Sequence, residues 1–209
     1  MTRRWHYENA PSALQLNEIS LLLREGNVAL FPTDTIYGLH ALALDDQAVA
    51  RIAEIKGRDD TKPFIVLASS MAELERLGIE AAPELLEALA TIWPAPLTAI
   101  LPLREPIAAS RGASTLAVRI PALDWLRDLV SRTGPLVSTS ANRSGEPPVH
   151  DLKNLARDLQ NRVDAIVDGG SRTGEPSAIL DLTTAEPRFI RQGDLSFTQK
   201  VWKSLRKTL

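Results

Sequence analysis

LTAILPLREPIAASRGASTLAVRIPALDWLRDLVSRTGPLVS, residues 97–138, is the stretch that sets the fold class. Within it LTAIL (97–101) and STLAVRI (114–120) are short aliphatic and β-branched runs and read as strands. No helical pattern separates them, and a parallel pair needs a crossover of a dozen or more residues, usually a helix. Residues 122–132 then read as a helix with Ala122, Leu126, Leu129 and Val130 in register, and PLVS (135–138) reads as the next strand. Strands joined directly, beside strands joined through a helix, imply an α/β domain with a mixed sheet and not a regular doubly wound one.

The same rhythm extends outward in both directions. Residues 12–25 form a helical pattern with Ser12 as cap, Leu16, Ile19, Leu22 and Leu23 as stripe and Gly26 as stop. NVALF (27–31) reads as a strand halted by Pro32, and 45–56 as a helix opened by Asp45 or Asp46. PFIVLA (63–68) is a strand, followed by helical segments near 71–78 and 83–92. Downstream, VDAIV (163–167), AILDL (178–182) and PRFIR (187–191) are strands, a helix lies near 151–159, and an amphipathic helix 194–206 closes the chain. Without repeats, linkers or low-complexity tracts, the chain is expected to form a single domain over 1–209, with its core at about 12–193.

With 44% hydrophobic and 24% charged residues in 209, the composition is that of a globular protein and excludes disordered, collagen-like and coiled-coil classes. Cysteine is absent, which removes disulfides, thiolate zinc sites, iron–sulfur clusters and cysteine nucleophiles. The three histidines (His6, His40, His150) are too scattered to read as a metal site. A net charge of -2 gives no global field for nucleic acid. MTRRWHYENAPS has no apolar region after its arginines, and no apolar run approaches the roughly 20 residues of a membrane span. The expected location is the cytoplasm.

Neither GxxxxGK[ST] nor GxGxxG after a strand is present, so no P-loop or Rossmann fingerprint is available. Four other stretches carry polar residues that a plain scaffold does not require. FPTDTIYGL (31–39) sets Thr33, Asp34 and Thr35 between Pro32 and Gly38, as a strand-connecting turn or as a site. In KGRDDTKPF (56–64), Lys56 continues the stripe of Val49, Ile52 and Ala53, and Gly57 suits a helix end. A lysine there complements the helix dipole, yet Arg58 and Lys62 follow at once, as a polyanion site would require.

In STLAVRIP (114–121), Leu116, Val118 and Ile120 supply the core, so Thr115, Ala117 and Arg119 share the opposite face. There Arg119 meets either solvent or a cleft, where its fork suits carboxylate or phosphate. In PLVSTSANRSGEPP (135–148), Ser138, Thr139, Ser140, Asn142, Ser144 and Gly145 form either a polar loop or an anion-binding nest. No GxSxG elbow supports a serine triad. Together the four bring cations and hydroxyls with few acids, the profile of a pocket for a multiply anionic small molecule.

FPTDTIYGL, KGR (56–58), WPAPLT (93–98), LAVRIP (116–121) and STSANRSG (138–145), in this order, resemble the YrdC/TsaC family, the threonylcarbamoyl-AMP synthases. The likeness runs from about residue 12 to Gly193. It implies a twisted mixed sheet with flanking helices around a large, basic, concave cleft. It implies a nucleotidyltransferase that joins L-threonine, bicarbonate and ATP into threonylcarbamoyl-AMP, with release of pyrophosphate. A transferase complex would then carry the threonylcarbamoyl group to adenosine 37 of ANN-decoding tRNAs, and the enzyme itself would bind tRNA weakly.

The family hallmark, K-x-R with a distant S-x-N, corresponds to Lys56, Arg58, Ser140 and Asn142, which would hold phosphates and carbamate. Thr115, Pro148 and Arg191 would complete the ATP site. Thr33, Lys62, Arg119, Ser138 and Ser177 would hold threonine, with Arg119 on its carboxylate. Mg²⁺ would arrive on ATP, with no protein-held metal. Asp59 stands where the family usually has proline, and the chain resembles the short form without the extra carboxy-terminal domain.

The competing class is a non-catalytic RNA-binding or ribosome- or tRNA-maturation factor of the same fold. Against it, Trp5, Trp93, Trp125 and Trp202 show no aromatic–basic interleaving. Hydrogenase-maturation carbamoyltransferases also share the fold, but their zinc part needs cysteines that this chain lacks.

Overall fold

In the computed structural model, which describes residues 2–57, 62–143, 145–184 and 186–205, ten strands form one mixed sheet. They are β1 (Arg3–His6), β2 (Ala29–Pro32), β3 (Tyr37–Leu42), β4 (Ile65–Leu67), β5 (Leu97–Pro102), β6 (Thr115–Arg119), β7 (Leu136–Ser140), β8 (Ala165–Asp168), β9 (Ala178–Asp181) and β10 (Arg188–Arg191). Their order across the sheet is β1-β8-β2-β3-β7-β4-β6-β5-β9-β10. The segment 97–138 behaves as its sequence requires. β5 and β6, joined without a helix, pair antiparallel, whereas β4 and β6 are parallel.

Among the described residues seven helices flank the sheet: α1 (Ala13–Arg24), α2 (Asp46–Lys56), α3 (Met71–Arg76), α4 (Pro83–Ile92), α5 (Asp124–Thr133), α6 (Arg157–Arg162) and α7 (Leu195–Leu205). Their ends follow the local chemistry. Ser12 caps α1 in a reciprocal box with Gln15, and the Asp45 carboxylate accepts from the amides of Gln47 and Ala48 to open α2.

The sheet's two faces are treated differently. Leu39, Ala41, Val66, Leu116, Val118 and Val137 point into one core, closed by Val49 and Ile52 of α2 and Leu89 of α4. On the other face Phe31, Leu67 and Leu136 lie under α1 and α5, against Ile19, Leu23, Leu126 and Leu129. These two helices cover only part of that face. Its remaining portion is open and carries the polar side chains.

Two readings are corrected, and two strands are added. Residues 151–159 are not one helix. Leu152–Asn154 is a single 3₁₀ turn held by the Asp151 carboxylate on the Lys153 amide, and extended backbone at Leu155 and Ala156 separates it from α6. Ala122 is exposed and precedes α5, and Trp125 takes its place in the buried stripe. β1 was invisible because it is a mostly exposed edge strand with no alternation, and β3 because it is buried on both faces. The closing helix runs Leu195–Leu205, and residue 206 lies outside the described residues. Among the described residues no helix is long and apolar enough to cross a membrane.

Candidate functional site

Strand register builds the site. Gly38 pairs with Ser140 and His40 with Ser138 across β3 and β7, while Ser138 also faces Ile65 of β4, and Leu67 faces Arg119 of β6. Side chains in the same row point to one face, so Ser138, Ser140 and Arg119 all emerge on the face that α1 and α5 leave open. They line a cavity of about 310 Å³ together with Thr33, Thr35, Tyr37, Ser177 and Arg191. Continuing the register by two residues brings Thr115 level with Ser140, two strands and about 10 Å away. Thr115 is not among the residues that line the cavity.

At one end of the cavity the turn after β2 is tightly knotted. The Thr33 hydroxyl accepts from the Thr35 amide at 3.1 Å and bonds the Thr35 hydroxyl at 2.9 Å. Arg119, only 3% exposed, donates from Nη1 to the Thr35 hydroxyl at 3.2 Å and stands 3.6 Å from the Asp34 carboxylate. The other Asp34 oxygen accepts from the Ala122 amide. Arg119 Nε and Asp34 Oδ1 are buried with no hydrogen-bond partner. Burial pushes the Arg119 guanidinium below its ordinary value, with Asp34 opposing.

The second guanidinium comes from the far strands. Arg191 donates from Nε to the Ser177 carbonyl at 2.8 Å and from Nη2 to its hydroxyl at 3.2 Å, and that hydroxyl also bonds Thr98 at 2.9 Å. Burial lowers the pKa of Arg191 and the charge of Arg119 lowers it further. Two half-paired cations that repel each other across a hollow are stabilised by an anion between them.

At the other end Lys56, 5% exposed, leaves the last turn of α2 and donates to the Ser140 carbonyl at 2.7 Å, the Ser140 hydroxyl at 3.3 Å and the Asn142 amide oxygen at 2.8 Å. The Ser140 hydroxyl also donates to Asn142, whose amide nitrogen donates to the Glu146 carbonyl. Asn142 and Pro148 line a second hollow, of about 440 Å³.

The structure thus gathers Thr33, Arg119, Ser138, Ser140, Ser177 and Arg191 in one cavity, with Lys56 and Asn142 tied to Ser140. Pro148 lines the neighbouring hollow, and Lys62 is exposed beside Pro63, a lining residue. Arg58, Asp59 and Ser144 lie outside the described residues. Sequence reasoning assigned no role to Thr35, Asp34, Tyr37 or Thr98. FPTDTIYGL had marked the first three, but nothing near Thr98 signals its bond to Ser177.

His40 lies under the cavity floor, stacked on Phe31 with ring centroids 3.7 Å apart, its two nitrogens facing the carbonyls of Phe31 and Val137. Complete burial pushes its pKa down to about 3. The native state therefore holds His40 neutral while the unfolded chain protonates it near pH 6.5. Stability is expected to fall by about 1.4 kcal/mol per pH unit below that value, toward the native pKa. Denaturant titrations between pH 7 and 4.5 test this. In His40→Gln the slope should flatten by about one proton, and an unchanged slope would remove His40 as the cause.

The Sua5/YciO/YrdC family model, described as "Telomere recombination", matches residues 21–193. The chain belongs to this family. Among its relatives, threonylcarbamoyl-AMP synthase of Pyrococcus abyssi is 42% identical over 83% of this chain and 52% of its own length. That of Coxiella burnetii is 35% identical over 82% of this chain and 94% of its own. The crystal structure of P. abyssi Sua5 complexed with L-threonine superposes with a TM-score of 0.85 at 35% identity, over 96% of this chain and 60% of that one. The chain therefore spans only about half to three-fifths of the Pyrococcus member of the family.

Proposed function

We propose that this protein is a threonylcarbamoyl-AMP synthase that uses L-threonine, bicarbonate and ATP. The observation that carries the reading is the cavity itself, which sets the buried Arg119 at the Thr33–Thr35 turn and Ser140, bonded to Lys56, in the same hollow. In this reading the threonine carboxylate supplies a partner for the unbonded Arg119 Nε, with Thr33, Ser138, Ser177 and Lys62 around the amino acid. Lys56, Arg58, Ser140 and Asn142 hold the phosphates and carbamate, and Thr115, Pro148 and Arg191 complete the nucleotide site. Mg²⁺ enters as part of the ATP substrate.

The chemistry explains the residue types. The threonine amine captures bicarbonate with loss of water to give a carbamate. A carbamate oxygen then attacks the α-phosphorus of ATP, the bond to the β-phosphate oxygen breaks, and pyrophosphate leaves. An anion attacks a polyanion, so preorganised cations oppose the repulsion that dominates the barrier. The water-labile mixed anhydride would pass to a tRNA-modifying transferase in the cytoplasm.

Incubating the purified protein with ATP, bicarbonate and labelled threonine tests the proposal. The expected result is pyrophosphate release that requires threonine, together with a labelled mixed anhydride. Absence of both, with RNA binding that weakens steeply with salt, would establish the non-catalytic alternative instead.

A further inference from the structure

Residues 169–177, GGSRTGEPS, connect β8 to β9 without helix or strand. These strands stand seven places apart in the sheet, and the nine residues pass along the cavity between them as a strap.

The strap is tied down at its start. Arg172 Nη2 donates to the Tyr7 hydroxyl at 2.9 Å and to the Gly169 carbonyl at 3.1 Å. The Tyr37 hydroxyl donates to the Gly170 carbonyl at 2.8 Å and accepts from the Gly169 amide at 3.1 Å. Tyr7 and Tyr37 are buried, and burial raises both phenol pKa values, so the hydroxyls remain neutral bond partners. A side chain at Gly169 would place its Cβ 2.4 Å from the Tyr7 hydroxyl.

In mid-span the strap presses on the cavity's polar turn. A Cβ at Gly174 would lie 3.0 Å from the Thr35 carbonyl oxygen, 3.4 Å from its Cα and 3.5 Å from the Asp34 carbonyl oxygen. At its end the strap delivers Pro176 and Ser177 to the cavity wall. The turn that carries Thr33 and the Arg119 partners therefore lies close against the strap backbone at Gly174, leaving little room for a side chain there.

We infer that Gly174 and Arg172 are positioning residues for the amino-acid substrate: the strap, anchored by Arg172 on Tyr7, fixes the Thr33–Thr35 turn in the geometry that binds threonine. The inference rests on the threonine reading given above. In Gly174→Ala the added methyl must move the Thr35 backbone by a few tenths of an ångström, because it meets main chain and no flexible side chain.

Calorimetric titration of the full chain with L-threonine and, separately, with ATP provides the test. Gly174→Ala is expected to weaken threonine binding by about 10-fold, with ATP affinity within about 2-fold of the parent and the unfolding midpoint within a few degrees. Arg172→Met, which removes the bonds to Tyr7 and Gly169 without touching Thr35, should weaken threonine about 5-fold, and Arg172→Lys, still able to donate to Tyr7 and Gly169, should recover most of it. If Gly174→Ala fails to fold, the Arg172 pair alone decides. Threonine affinity unchanged in a folded variant, or threonine and ATP affinity falling together with the unfolding midpoint, would overturn the inference. Failure of the unmodified protein to bind threonine would instead overturn the functional reading on which it stands.

Discussion

Replacing Lys56 by methionine is expected to lower kcat/KM for threonine-dependent pyrophosphate release by about 100-fold. The Lys56 ammonium is the hub of one end of the cavity, donating to the Ser140 carbonyl, the Ser140 hydroxyl and the Asn142 amide oxygen. Methionine keeps the apolar stem that continues the α2 stripe of Val49, Ile52 and Ala53, so the helix still packs. What disappears is the cation that the proposed reading sets against the phosphates and the donor that bonds Ser140 and Asn142. Loss of one such preorganised donor removes about 2.7–4 kcal/mol of transition-state stabilisation, and the 100-fold expected here is the lower end of that range. Stability should also drop, by about 1–3 kcal/mol, because three acceptors lose their shared donor. Steady-state rates across a range of threonine concentrations, beside thermal melts, separate the two effects. A rate within threefold of the parent would remove Lys56 from the catalytic machinery.

Arg119→Met should act on the other substrate. KM for threonine is expected to rise about 100-fold while KM for ATP stays within about 2-fold, because the guanidinium lies at the Thr35 end, away from Lys56. The substitution also leaves Asp34 buried without its cation. Breaking a buried pair from one side costs about 3–5 kcal/mol, enough at this chain length to lower the melting temperature by about 10 °C. Adding Asp34→Asn should restore most of the stability and none of the threonine affinity. That double variant separates the structural and binding roles of Arg119. Recovery of threonine affinity in it would refute the carboxylate contact.

Secondary structure was legible wherever burial is one-sided. α1, α2 and α4 show apolar stripes and β6 an alternation, since each packs a single face on a core. The signal failed at β1, which is mostly exposed, at β3, buried on both faces, and at 151–159, where extended backbone interrupts the helical pattern. Thr33, Lys56, Arg119, Ser138 and Ser140 stood out for a different reason, as hydroxyls and cations in elements whose packing did not require them, whereas Thr115, Pro148, Ser177 and Arg191 came only from the family resemblance. Arg119 is the clearest case, because the alternation around it assigns Leu116 and Val118 to the core and leaves its own face unexplained.

From the chain alone, then, follow the mixed α/β class, the polar stretches and the resemblance that joins them, because each is written in residues close together. Tertiary structure alone settled which of those polar groups meet. Lys56 reaches Ser140 and Arg119 reaches Thr35 across 84 residues in each case. Whether the face opposite Val118 was solvent or cavity depended on where α1 and α5 stop covering the sheet. Pairing register, the extent of that cover and the path of the strap are properties of distant segments packed together. No local pattern records them, since a residue's own periodicity reports that it is buried but not by what.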